Sequence, residues 1–236
     1  LVWYIVETDK KSTLVSVDEK LKLVSNSTTE SIEYWIDERK KMLLQLGRDP
    51  LLSAITKNLL SSSNQSNYLG GVDRLVFQVQ ARVYFQERES EFGANGFFIV
   101  NKDHINIAGL DDLQLDKLSL VDEYRPDLLN QAFEGRSVFI PPFHPEGEFR
   151  LGTSTEYSEL NMFIAAPIRD LDGSVLAVLL QRLSPSGRLS TILQKGRMGQ
   201  TGESYLVTRQ GEMVTESRFL DDLKAVELLR KDALGN

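Results

Sequence analysis

The chain has 236 residues, enough for one large domain or two small ones, either able to bury a core. Lysine and arginine total 27 against 34 aspartates and glutamates, a net charge of −7, and this acidic balance excludes general nucleic-acid binding, which needs a basic face. With 41% hydrophobic and 26% charged residues the composition is that of a globular chain; the absence of cysteine removes disulfides and thiol chemistry, and His104 and His144 alone cannot furnish a multi-histidine metal centre.

No run reaches the ~20 apolar residues of a membrane span. The chain starts without methionine and has no cationic leader before an apolar stretch, so it reads as a piece excised from a longer protein. Leu1–Val6 reads equally as the tail of a membrane helix and as an ordinary helix start. From Leu14 to Leu60 glycine occurs only at Gly47 and proline only at Pro50. Ile32, Trp35, Ile36, Met42, Leu43 and Leu46 recur at helical spacing. These features predict a long amphipathic helix, a break at Gly47–Pro50 and a shorter helix over Leu51–Leu60. A polar loop is expected at Ser61–Asn67. Val72–Glu91 fits both periods and is assigned to helix on its length.

After Gly93 the pattern changes. Phe97–Val100 and Ile105–Ala108, joined by Asn101-Lys102-Asp103-His104, read as a β-hairpin with His104 solvated at its tip. A helix begins near Pro126, covers Asp127–Phe133 and stops at Gly135. Three further strands are predicted at Ser137–Ile140, Leu160–Ile168 and Ser174–Leu183. The last two are joined by a tight turn at Asp172-Gly173. Ser186 is placed to cap a helix running to about Lys195. A second hairpin, Glu203–Thr208 with Glu212–Glu216, follows. Five strands after a helical lead, with one helical insertion, give an α+β fold with an antiparallel sheet.

Three stretches resemble the double Cache family of extracellular sensor domains: Ala165–Gly173 running into Val175–Pro185, Gly196–Val207 and Gly211–Phe219. The long helix ending at Asp49-Pro50 resembles it too. The resemblance implies a PAS-like five-stranded module and three regions: a helical spine at 1–68, a membrane-distal module at 69–185 with a ligand pocket, and the start of a membrane-proximal module at 186–236, incomplete here. It further implies a periplasmic or extracellular location, flanking membrane anchors, a homodimer through the N-terminal helix and a kinase, cyclase or chemotaxis output.

The pocket is expected along Gly135–Tyr157, a proline- and glycine-rich stretch read as a loop over the sheet. It offers Phe143 as apolar surface and His144, Arg150 and Tyr157 as polar groups. Arg182 interrupts the apolar strand Val175–Leu180, where a charge is expensive unless paired. Amino-acid-sensing Cache relatives carry an aspartate near this point for the ligand's amino group, together with an Arg-x-Trp-Tyr stretch and a Pro-Tyr step. Here those places hold Arg182, Tyr124-Arg125-Pro126-Asp127 and Pro142-Phe143. An arginine fork suits a carboxylate or phosphate rather than an ammonium. The expected ligand is therefore a small anion held by Arg182, with Arg125 or Arg150 assisting and Tyr124 nearby; the alternative for Arg182 is a structural acid.

Asp170 and Asp172 are read as turn chemistry rather than a cation site. Glu203 and Arg218 are read as a pair across the second hairpin. No catalytic motif, cofactor-binding motif or phosphate loop is present, so a non-catalytic sensor is expected. The alternative is a structural or dimerisation module without a ligand.

Overall fold

The computed structural model describes residues 2–63, 68–88, 96–143, 160–197 and 202–208, together with 211, 213–215, 217, 219 and 225. The described chain falls into two compact units, one from Leu1–Trp35 and Pro185–Leu228, the other from Ile36–Ser184.

The elements follow from local signals. Helix α1 spans Val2–Leu46 and stops at Gly47. Asp49 then accepts the Leu51 amide on Oδ1 at 2.8 Å, and Pro50 opens helix α2, Pro50–Ser63. An aspartate cap followed by proline at the first helical position is a favoured helix start, because proline lacks an N–H that would in any case be unpaired. The Asp-Pro step was read correctly; Ser61–Ser63, read as loop, extend α2 by its last turn. Helix α3 is Tyr68–Gln86, so the ambiguous stretch Val72–Glu91 is helical as far as Gln86.

The second unit carries a five-stranded antiparallel sheet: β1 Phe97–Val100, β2 Asn106–Gly109, β3 Val138–Phe143, β4 Asn161–Arg169 and β5 Val175–Leu183, in the order β2-β1-β5-β4-β3. Two short helices, α4 Leu120–Tyr124 and α5 Pro126–Phe133, sit between β2 and β3 in sequence. β4 is buried from Asn161 to Ile168 because helices cover both faces of the sheet. On one face Phe98, Val100, Val138, Ile140, Phe163, Ala165, Val178 and Leu180 pack with Val121, Leu129 and Ala132 of α4 and α5. On the other, Phe97 meets Phe85 of α3 with ring centroids 3.9 Å apart.

The β2 edge is covered by α3. Gln78 of α3 donates to the Ile107 carbonyl, and Arg82 Nε donates to the Gly109 carbonyl at 3.0 Å, satisfying outward groups of edge strand β2. β3 is the opposite edge, which tolerates Pro141 and Pro142 in the strand. The predicted strand Ser137–Ile140 is thus seen as Val138–Phe143, and Pro141–Phe143, expected as part of the loop, belong to it. The β3–β4 ladder ends at Val138 opposite Ala165. Beyond it the chain elbow takes over: the Arg169 amide donates to the Gly47 carbonyl at 2.7 Å.

In the first unit, Pro185–Leu189 forms one irregular turn kinked at Gly187, and α6 spans Ser190–Lys195. Leu189, not Ser186, precedes this helix, so the predicted cap is displaced by the kink. Among the described residues of the predicted second hairpin, Val207 bridges Met213 and the Val214 amide donates to the Leu206 carbonyl at 2.8 Å. Glu203 accepts from Ser217 Oγ at 3.0 Å; Arg218, its expected partner, lies outside the described residues.

Candidate functional site

The α4–α5 face of the sheet gathers an aromatic row. Phe143 ends β3, and its ring stacks on Tyr124 of α4 at 4.9 Å and 17°. It also lies 6.2 Å from the Phe163 ring of β4, which in turn is 6.5 Å from Phe98 of β1. The strand registers place two polar residues against this row. Arg182 of β5 is opposite Phe163, and Asn161 of β4 is opposite Phe143. Arg182 Nε donates to Asn161 Oδ1 at 2.9 Å.

The sequence logic of that pair is now visible. Alternation along β5 sends Val178, Leu180 and Arg182 to the same face. Val178 and Leu180 are buried, whereas Arg182 is half-buried. The charge thus stands at the margin of an apolar floor, where a guanidinium keeps a hydrogen-bond partner and a route to solvent. One of its hydrogen-bond partners is the buried amide of Asn161.

Of the predicted site residues, Arg182, Tyr124 and Phe143 come together. Arg125 turns elsewhere: its Nε and Nη2 bind the two carboxylate oxygens of Asp127 at 3.1 and 3.0 Å, a bidentate clamp at the start of α5. That hydrogen bond raises the Arg125 pKa, and the guanidinium holds the Asp127 carboxyl below the ordinary carboxylate value. His144, Arg150 and Tyr157 lie outside the described residues. Asn161, Phe163 and Phe98 were missed. The signal for Asn161 was available, as the one amide in the apolar run Leu160–Ile168.

His104 is not solvated as expected. Its backbone is left-handed (φ 62°), its ring stacks on Phe133 at 5.3 Å, and its Nδ1 lies 2.5 Å from Asp122 Oδ1. The hairpin tip is thereby fastened to α4 and α5. Among the described residues no group of three histidines, cysteines or acids is placed to hold a metal.

Asp170 and Asp172 serve the β4–β5 turn as read. Asp170 Oδ1 accepts the Leu171 amide at 2.6 Å and meets Lys57 Nζ at 2.5 Å; Asp172 Oδ1 accepts the Ser174 amide at 2.9 Å. The Lys57 contact, then the Leu171 amide, lower the Asp170 pKa; Ser174 lowers that of Asp172. Folded-state values below the unfolded ones mean stability that is fully present above about pH 4 and lost as pH falls through the carboxylate range. Lys57→Ala is expected to move the Asp170 midpoint up toward the ordinary value in an NMR carboxyl titration, leaving Asp172 nearly unmoved. An Asp170 midpoint indifferent to the substitution would remove Lys57 as the cause.

No protein-family model matches the chain, and no curated protein matches it in sequence. Solved structures do. The ligand-binding domain of the Campylobacter jejuni chemoreceptor Tlp3, in complex with 4-methylisoleucine, superposes with a TM-score of 0.51 at 16% identity, over 90% of this chain and 72% of that one. The sensor domain of the V. cholerae histidine kinase DctB gives 0.47 at 13% identity, over 79% of this chain and 61% of that domain. The ligand-binding domain of the Pseudomonas fluorescens chemoreceptor CtaA, in complex with L-alanine, gives 0.46 at 16% identity, over 86% and 72%. The chain therefore spans about three fifths of the DctB domain and shares the fold of the Tlp3 domain. This is the architecture that the double Cache resemblance implied: a long helix, then a five-stranded antiparallel sheet flanked by helices.

Proposed function

We propose that this chain is the extracytoplasmic ligand-sensing part of a transmembrane signalling receptor, without catalysis of its own, and that a small carboxylate binds on the sheet face beneath α4 and α5. One observation carries the reading: a half-buried arginine, Arg182, braced by the buried Asn161 beside an aromatic row. A guanidinium fixed through Nε presents a planar charge to an anion, and aromatic walls exclude water from the contact. The shared fold with a chemoreceptor ligand-binding domain supports the same reading. No helix among the described residues is long and apolar enough to cross a membrane.

Signal output requires a ligand that binds two conformations unequally. Tyr124 and Phe143 join a helix to the end of β3, so a ligand that parts their stack moves α4 relative to the sheet. Dimerisation through α1 has support in Leu14, Val17 and Leu21, exposed apolar residues at three- and four-residue spacing.

The test is calorimetry with small carboxylates on the wild type, Arg182→Ala and Arg182→Lys. Wild-type binding is expected, with affinity about tenfold weaker in both variants, or ~1.4 kcal/mol, because lysine keeps the charge and loses the fork. Affinity unchanged in Arg182→Ala overturns the assignment.

A further inference from the structure

Beside the aromatic row lies a small, partly open cavity with two polar oxygens. Phe98, Leu120, Val121, Phe163 and Leu180 form its apolar walls, and Asn106 and Ser119 complete it. It leaves about 10 Å³ in which the centre of a water-sized group can sit, which is room for one oxygen atom. Ser119 is 1% exposed and Asn106 3% exposed. The Ser119 hydroxyl and Asn106 Oδ1 are both buried without a hydrogen-bond partner.

Neither orphan is an accident of a loose loop. Ser119 precedes α4, and a serine there ordinarily turns its hydroxyl to the first amides of the helix. This one makes no such bond, although its amide donates to the His104 carbonyl at 2.8 Å and so fixes its position. Asn106 is held from both sides: its amide donates to the Lys117 carbonyl at 3.0 Å and its Nδ2 to the Gln114 carbonyl at 3.2 Å. That orientation leaves Oδ1 as an acceptor with nothing to accept. A buried polar oxygen without a partner is costly, and two in one cavity lined by Asn106 and Ser119 call for a shared occupant.

The chemistry of the pair selects that occupant. Asn106 Oδ1 can only accept, whereas the serine hydroxyl can donate. A single hydroxyl group satisfies both, giving its proton to Asn106 Oδ1 and accepting from Ser119 Oγ. An ammonium would enter as a charge between phenyl walls, on the face that already carries the Arg182 cation. Two walls of the cavity, Phe163 and Leu180, also belong to the floor beside Arg182: Phe163 is its cross-strand partner and Leu180 is two residues before it on the same face. Two strand residues span about 7 Å, which separates the carboxylate and hydroxyl ends of a chain of about four or five carbons.

We infer that this cavity is a hydroxyl subsite of the ligand pocket, so that the preferred ligand is a hydroxycarboxylic acid, its acid group at Arg182 and its hydroxyl between Asn106 and Ser119. The inference rests on the ligand site proposed above. In the empty protein one water takes the hydroxyl's place, and the ligand displaces it.

The test compares matched pairs by calorimetry: butyrate with 4-hydroxybutyrate, and pentanoate with 5-hydroxypentanoate. In the wild type the better-fitting hydroxy acid is expected to bind about tenfold tighter than its parent acid. Ser119→Ala removes no hydrogen bond within the protein and is expected to fold normally. It should reduce that preference to about twofold or less while leaving the parent acid's affinity unchanged. Ser119→Val, which fills the space, should abolish the preference as well. Parent and hydroxy acids binding equally in the wild type, or a preference surviving in Ser119→Ala, would overturn the hydroxyl subsite alone. If no member of either pair binds, the carboxylate reading of Arg182 falls and the subsite with it.

Discussion

Gly47→Ala is expected to destabilise the second unit by about 3 kcal/mol or more. A methyl group at this position would stand 2.0 Å from the Pro167 carbonyl oxygen and 3.1 Å from its carbon. The obstacle is backbone in a strand paired on its other side with β5, so it cannot swing away as a side-chain tip would. Relief requires the elbow to lift from β4, which also breaks the 2.7 Å bond from the Arg169 amide to the Gly47 carbonyl. In a chain of this size the loss corresponds to roughly 6–12 °C in thermal midpoint. Gly173→Ala makes a useful contrast. It sits at φ 87° with nothing within 4 Å of the added carbon, so only backbone strain of about 1–2 kcal/mol applies. Equal losses at the two positions would show that the elbow yields, and that its close approach to β4 does not hold the helices on the sheet.

Much of this fold was legible because its signals are local. The Asp49-Pro50 step, the long glycine-free run before it and the Asp172-Gly173 turn each fix geometry within a few residues, and all were read to within a turn. The errors fell where tertiary contact outweighs local preference. Pro141 and Pro142 argue for loop in isolation, yet an edge position lets β3 accommodate both. His104 looks solvated in a polar tetrapeptide, but the return of α4 and α5 over the hairpin gives it Asp122 and Phe133 as neighbours. The site was half legible for a related reason. A charge in an apolar strand betrays Arg182, because burial makes it costly. Nothing local in the sequence shows that Arg125 will turn to Asp127, that Asn161 will brace Arg182, or that Asn106 and Ser119, thirteen positions apart, will face one cavity.

Phe163→Ala is expected to cost about 3–5 kcal/mol, because the ring is fully buried and the surrounding sheet cannot collapse into the space. The ring touches three separate features: the Phe98 and Phe143 rings, the cross-strand position of Arg182 and the cavity wall. Packing loss and binding loss must therefore be separated, and Phe163→Leu does so. Leucine keeps most of the volume and should cost about 1.5 kcal/mol or less in urea denaturation. It nevertheless removes the flat ring beside Phe143, on which Tyr124 is stacked in turn. If this face binds the ligand, carboxylate affinity should fall in Phe163→Leu by about tenfold, a ~1.4 kcal/mol loss over and above the stability change. If affinity instead holds while stability drops, the aromatic row is core packing alone, and the ligand must meet Arg182 from its solvent side. The two substitutions together decide whether the phenyl ring between β3 and β5 is floor or filling.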